Sequence, residues 1–541
     1  MAGSLTKYVV LCGLSLSLGW GIRGNFGHAH GAMIPGALAA LAAVIVSGRE
    51  DWWRRAGYFG MFGALGWAFG GRMSYMQVIA YTHSGQWQSQ LYGYACLCVI
   101  GFLWAALGGA WTALPACLDR AKLTSLFPPT LVVLGAWLVK NLLLPYFFVP
   151  LPSDRRHESP LYWHDTSWVD ALVALGALAV YALVEMVCTR RLRWGTRFLL
   201  HLACGWWAVF LVVIAVVVDR LGINFRMTPP RGDDWVGTLG MTVGAFYFFH
   251  KERMTAAARV ALVSGLFGGA GFALATFLKL LEMRYVPLIP KFLYGESNWQ
   301  TNWHSVLEQT YGLVNGVGIG VAMYALAGEA PAVHDEPRTA RWTEVVAVGF
   351  TLLFVTYINV VANIPNWIGH DAIPPRLHRL PSRVWFDAFY AALAIAVISL
   401  LIRHLRTPLA IVPAGALGKA QLLYVVLLWW IVIGNWMHAI PPFKEQRLVT
   451  EGVIHLNAVC CTLLAILWAG TPLAVHAADV PGRPLPAIAG AGLLALAAVT
   501  GVSFVGTRTV WGDQFTGQAN YHVRFGPKAL PPLPQKGEKH P

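Results

Sequence analysis

Residues 13–44 read GLSLSLGWGIRGNFGHAHGAMIPGALAALAAV, with an arginine between two apolar segments. Residues 5–22 before it and 32–48 after it each approach the length of about 20 that a membrane-spanning helix needs. Between them lie Arg23, Asn25, His28 and His30, spaced by Gly21, Gly24, Gly27 and Gly31. Ionisable groups at such depth are costly and face a bundle interior, a cavity or a substrate path. Glycine-broken backbone there is tolerated only when it is buried in protein or lines water. The stretch therefore predicts a polar site inside a protein with many membrane helices.

The rest of the chain agrees with that class. Of 541 residues, 56% are hydrophobic and only 12% are charged, against about 25% charged in soluble domains. Apolar segments fall at about 5–22, 32–48, 56–80, 91–115, 128–148, 167–188, 198–219, 234–250, 257–281, 305–328, 342–364, 383–403, 419–440, 449–471 and 484–506. The expected fold is all-α, a polytopic membrane protein with about 14–15 transmembrane helices. The first apolar run lacks an A-x-A cleavage site and reads as a retained helix, not a signal peptide. A net charge of +14 would suggest nucleic acid in a soluble chain. Here Lys and Arg concentrate in short loops, where they anchor the chain at lipid headgroups. The expected partners are the lipid bilayer and a small-molecule substrate, with no nucleic acid; the oligomeric state is left open. The eight cysteines show no zinc or disulfide spacing, and no metal or cofactor is expected.

The sequence shows signs of an internal repeat. FGMFGALGWAFG at 59–70 is echoed by SGLFGGAGFALA at 264–275. Trp87-Gln88-Ser89 matches Trp299-Gln300-Thr301, and Trp168-Val169-Asp170-Ala171 matches Trp385-Phe386-Asp387-Ala388. Asn25-Phe26 aligns loosely with Asn224-Phe225. The expected organisation is a first six-helix half at 1–192, a second at 193–405, extra membrane helices at 406–506 and a polar, partly disordered tail at 507–541. Six is even, so both halves enter the membrane from one side, as parallel repeats do.

Arg49, Arg54, Arg55, Arg120, Lys122, Arg190, Arg191, Arg193, Arg197, Lys251 and Arg253 follow alternate segments, whereas THSGQWQSQ at 82–90 has no Lys or Arg. This bias predicts a cytoplasmic N-terminus, in a bacterial inner membrane. Fifteen crossings would put the tail outside with Arg524 and Lys528, so the rule predicts a miscounted or re-entrant segment late in the chain. The charged turns SGREDWWRR (47–55) and FHKERM (249–254) follow the second and eighth segments. With the two parallel halves, this plan resembles the major facilitator superfamily, which keeps a charged signature at those two places. The resemblance is one of architecture and implies two six-helix halves around a central path.

Three groups of residues carry candidate chemistry. The first joins Arg23, Asn25, His28 and His30 to Arg72, Tyr75 and Gln77 in RMSYMQ. An arginine fork suits a carboxylate or phosphate, though arginines at helix ends also snorkel to headgroups. The second runs from Asn298 through Trp299 and His304 to Glu308, Gln309, Tyr311 and Asn315. Glu308, Tyr311 and Asn315 are spaced three and four apart and share one helix face. Rings beside amides and a carboxylate suit a polyhydroxylated ligand, but Trp is also common at membrane interfaces. The third is Glu451 with His455, four residues apart, either a proton relay or a polar pair joining helices.

The leading expectation is a secondary transporter of a small polar, possibly anionic metabolite, such as a sugar, sugar acid or carboxylate. Arg23, Asn25, His28, His30, Arg72, Tyr75, Gln77, Trp299, Glu308 and Asn315 would bind substrate. Glu308, Glu451 and His455 would couple protons. The alternatives are a membrane-embedded transferase acting on a lipid-linked or acyl substrate and a non-catalytic subunit of a membrane complex. H-E-x-x-H, Walker A and G-x-S-x-G motifs are absent, and the short loops leave little room for a second substrate domain.

Overall fold

The computed structural model describes residues 4–24, 28–71, 73–148, 158–225, 227–228, 234–285, 302–333, 340–369, 373–439, 449–468, 483–512 and 525–526. The described residues are 84% helical with almost no strand, an all-α polytopic membrane protein. The long helices are α1 (Leu5–Arg23), α2 (Met33–Val46), α3 (Ala56–Gly70), α4 (Trp87–Cys117) and α5 (Phe127–Phe147). Next come α6 (Ser167–Thr189), α7 (Trp194–Val218), α8 (Asp234–Lys251), α9 (Thr255–Tyr285) and α10 (Trp303–Glu329). The chain continues as α11 (Arg341–Gly369), α12 (Ser382–Arg406), α13 (Ala416–Ala439), α14 (Val449–Leu467) and α15 (Leu485–Trp511).

Among the described residues, 12 helices are long and apolar enough to cross a membrane. Three predicted spans fall short of that standard: α2 has 14 residues, α3 has 15, and α8 is 18 residues long but more polar. All five helices after Glu329 meet it. The predicted span 56–80 is broken. α3 stops at Gly70, the chain runs non-helically through 73–75, and a short helix resumes at Met76–Thr82. Gly70 and Gly71 have poor helix propensity. A Cβ on Gly70 would also come within 2.2 Å of Trp104.

α1, α4, α9 and α10 pack together at the centre with α2 and α3. Every residue of α2 is buried, as expected for a helix that is apolar all round. α5, α6, α12 and α15 form the periphery, and their apolar side chains (Leu138, Leu183, Ile395, Leu494) point outward. A surface of that character belongs in lipid.

With no hydrophobic drive between helices inside lipid, close backbone contact through small residues holds the centre. α4 and α9 cross at Gly101 and Gly268. A Cβ on Gly101 would come 2.2 Å from the Gly268 carbonyl oxygen, and backbone cannot step aside. Gly101→Ala should cost about 1–3 kcal/mol of stability through overpacking. Gly135, on α5, meets nothing within 4 Å. Gly135→Ala should be neutral or gain up to about 1 kcal/mol from helix propensity. Thermal unfolding of both variants in one detergent checks the contrast; equal melting points would refute this account of the crossing.

Polar contacts sort the helix ends into two groups. At one end, Arg49 donates to the carbonyls of Ala327, Ala330 and Pro331 that close α10. Arg55 donates to Pro115 and Leu118 at the end of α4. Arg120 pairs with Glu344 at 2.8 Å, Arg197 with Glu252 at 2.9 Å, and Arg259 with Glu329. The other end holds Arg23, Tyr75 and Glu308.

Candidate functional site

Arg23 is the last residue of α1, and Gly24 follows it. The glycines of this stretch allow close approach. A Cβ on Gly31 would lie 2.7 Å from Arg23 Cγ, and one on Gly21 would lie 2.6 Å from Gln309 Cγ. α10 is started by Asn302, whose side chain accepts from the backbone N–H groups of His304 and Ser305 at 3.1 Å, a side-chain N-cap. That start puts His304 and Glu308 one turn apart on the face toward α1. Glu308 is thereby about 7 Å along α10 from its first residue, at 1.5 Å per residue.

Four residues meet there. Arg23 Nη1 donates to Glu308 Oε1 at 2.8 Å and to the Tyr75 hydroxyl at 3.0 Å. Arg23 Nη2 donates to the Gly71 carbonyl at 3.3 Å. Tyr75 in turn donates to Glu308 Oε1 at 2.5 Å. His304 Nε2 lies 3.2 Å from the Tyr75 hydroxyl and 3.4 Å from Glu308 Oε1, and its ring stacks on that of Tyr75. The side chains of Arg23 and Glu308 are 1% and 2% exposed, whereas that of His304 is 33% exposed. The side chains of the ion pair are thus sealed in protein, with the partly exposed His304 beside them.

Aromatic rings form the floor. The Arg23 guanidinium lies 5.0 Å from the centroid of Trp20 and 5.2 Å from that of Trp104, within range of cation–π attraction. Tyr311 packs edge-on against Trp20 and beside Trp104, and Asn315 donates to its hydroxyl at 3.0 Å. The stripe of Glu308, Tyr311 and Asn315 therefore faces this floor.

Of the other candidate residues, His30 is exposed and Gln77 half-buried. Asn25, Arg72, Trp299 and the His28 side chain lie outside the described residues. Glu451 and His455 stand on the neighbouring α14. Glu451 accepts from Asn435 at 2.6 Å, and His455 receives the Trp436 indole N–H. Gln309 connects the two places, donating to the Thr450 carbonyl at 3.1 Å. Lys140 pairs with Asp170 at 2.6 Å, and Asp387 with Arg383 at 3.4 Å. Among the described residues, no three His, Cys, Asp or Glu side chains come together as a metal site.

Trp20 and Trp104 were not singled out in the sequence, where each is one more aromatic in an apolar run. Trp20 did carry a signal, because it precedes Arg23 by three and shares its helix face. Trp104 carried none. At the opposite end of the same central helices, a cavity of about 270 Å³ lies between Lys122, Trp194, Glu252 and Thr255. No family model matches the chain, and no curated protein or solved structure matches it either.

Proposed function

We propose that this protein is a proton-coupled secondary transporter of a small anionic metabolite. The observation that supports it most is the buried Arg23–Glu308 pair, with Tyr75 and His304. Intramembrane ion pairs of this kind mark substrate and ion pathways more often than they serve stability. The pair also joins residues from the two six-helix halves proposed at 1–192 and 193–405, on a plan like that of the major facilitator superfamily. Alternating access would open and close the site between those halves. If the arginine-rich end is cytoplasmic, as the charge rule implies, the pair sits toward the external face of a bacterial inner membrane.

Charge balance leads to proton coupling. Arg23 and Glu308 together are neutral, so an entering monoanion would leave one uncompensated negative charge where the dielectric is low. A proton taken up through His304 removes it. The coupled unit is one proton per monoanion, with Glu308 as acceptor.

Proteoliposomes test the reading. Labelled lactate, glycerate and gluconate are supplied with the outside more acidic than the lumen, against protein-free vesicles. Saturable uptake of at least one is expected, accelerated by the pH gradient. Arg23→Lys, which keeps the charge but not the planar fork, should lower the uptake about tenfold or more. Uptake of none of the three, or wild-type uptake by the Lys variant, would remove the proposal.

A further inference from the structure

We infer that the cavity at the arginine-rich end of the bundle binds a phosphate ester of a small alcohol, at a site separate from the Arg23–Glu308 pair and independent of the transport reading. The cavity measures about 270 Å³ and lies where α4 and α10 end and α7 and α9 begin. That volume is just under the range of about 300–1,000 Å³ typical of small-molecule sites, so it suits a headgroup-sized ligand and leaves any acyl chain outside. Its basic side chains are Lys122 and Arg253. Arg253 has no acidic partner among the described residues. Lys122 reaches Asp119 at 3.4 Å, but both side chains are more than half exposed, and such a pair holds little. The acid on the wall, Glu252, is already taken by Arg197 at 2.9 Å. Positive charge on the wall is therefore left over. Trp194 also lines the cavity at 5% exposure, and its indole N–H has no acceptor among the described residues.

The turn between α8 and α9 brings Arg253 to this place. The backbone N–H groups of Arg253 and Met254 donate to the carbonyls of His250 and Phe249 at 3.1 and 2.8 Å, the Schellman pattern that closes a helix. Its left-handed position usually holds glycine, yet Arg253 occupies it at a φ of 57°. Met254 has no side-chain oxygen with which to cap α9. The first backbone donor there is Ala258, to the Met254 carbonyl at 3.1 Å. The N–H groups of Thr255, Ala256 and Ala257 have no acceptor among the described residues, and all three residues line the cavity. The wall thus gathers a guanidinium, an ammonium, an indole and the first turn of a long helix, whose dipole favours an anion. These donors outnumber what the two oxygens of a carboxylate accept, and they match the several oxygens of a phosphate. Basic pockets between membrane helices hold lipid phosphates by the same chemistry. A lipid headgroup and a soluble metabolite both supply such an ester.

Calorimetric titration of the purified full-length protein in detergent provides the test, with glycerol 3-phosphate, dihexanoyl phosphatidylglycerol and glycerol as probes. At least one of the two phosphates should bind about tenfold or more tightly than glycerol. The tighter of the two identifies the source, soluble ester or lipid headgroup, and either result supports the site. Arg253→Gly should weaken that binding about tenfold or more while raising the melting point of the ligand-free protein by about 1–2 °C, because glycine relieves the left-handed turn. Arg253→Gln removes the charge but keeps the strained turn, so it should lose the binding without gaining stability. Binding of neither phosphate, or no preference over glycerol, would overturn the inference. Undiminished phosphate binding in both Arg253 variants would overturn it by placing the ligand elsewhere.

Discussion

Glu308→Leu alone is expected to destabilise the protein by about 3–5 kcal/mol, because it strands the Arg23 guanidinium in a buried, low-dielectric site. Arg23→Met should cost a similar amount by stranding Glu308. The double variant Arg23→Met/Glu308→Leu removes both charges together and should lose less than either single variant, by about 2 kcal/mol. The geometry requires this coupling. Glu308 Oε1 accepts from both Arg23 and Tyr75, at 2.8 and 2.5 Å, and neither charge reaches solvent. Thermal unfolding of all four proteins in one detergent reads it directly. Simple addition of the two single penalties would show that the groups do not act as a pair. The double variant also separates folding from function: it should unfold near the wild-type temperature and show no uptake of any carboxylate. Uptake by the double variant would move the substrate path away from Arg23.

Arg49→Ala should be comparably severe, at about 3–5 kcal/mol, for a structural reason. Arg49 is 2% exposed and ties the loop after α2 to the end of α10. Its guanidinium serves the carbonyls of Ala327, Ala330 and Pro331 at 3.1, 2.6 and 2.7 Å, and both oxygens of Asp51. The carbonyls at the end of a helix have no intrahelical partner, so removing the fork orphans several acceptors together. Arg49→Lys should recover only a minor part of the loss, since one ammonium cannot span that set.

Asp51→Asn is the milder companion, and its effect should depend on pH. Burial acts to raise the Asp51 pKa, but hydrogen bonds and charge from Arg49, with the backbone N–H groups of Val333 and Trp52, hold it below the usual 3.8. A carboxyl with a depressed folded pKa contributes stability that is complete above its unfolded value. That contribution is lost as pH falls through the folded one. The melting point of Asp51→Asn should therefore lie a few degrees below wild type at neutral pH and approach it as pH falls below 3.8 and through the folded pKa. A constant gap across that range would contradict the pairing.

The helices were legible because the bilayer imposes a long apolar run on each crossing, and such runs stand out in any window of the chain. Their limits were less so. The span at 56–80 reads as continuous because only Arg72, Ser74 and Gln77 interrupt its apolar run. Its break falls at Gly70-Gly71, and Gly70 also lies against Trp104, a contact between residues on different helices. α2 read as a normal crossing, yet it is a short helix wholly enclosed by others. Sequence hydropathy does not separate a helix facing lipid from one facing protein, since both environments are apolar.

The site divides in the same way. Arg23 and Glu308 each stand out in the sequence, because a charge in an apolar run is costly wherever it ends up. Their union does not follow from that, since they stand 285 positions apart. Taken by itself, the sequence determined that the chain is a helical membrane protein with ionisable groups at depth. Hydrophobicity and charge are properties of single residues and act through local solvation. Only the tertiary structure decided that Arg23 meets Glu308, Tyr75 and His304 over a floor of Trp20 and Trp104. Such pairings depend on which helices lie side by side, and that is set by close fits such as Gly101 against Gly268, which leave no trace in composition or periodicity.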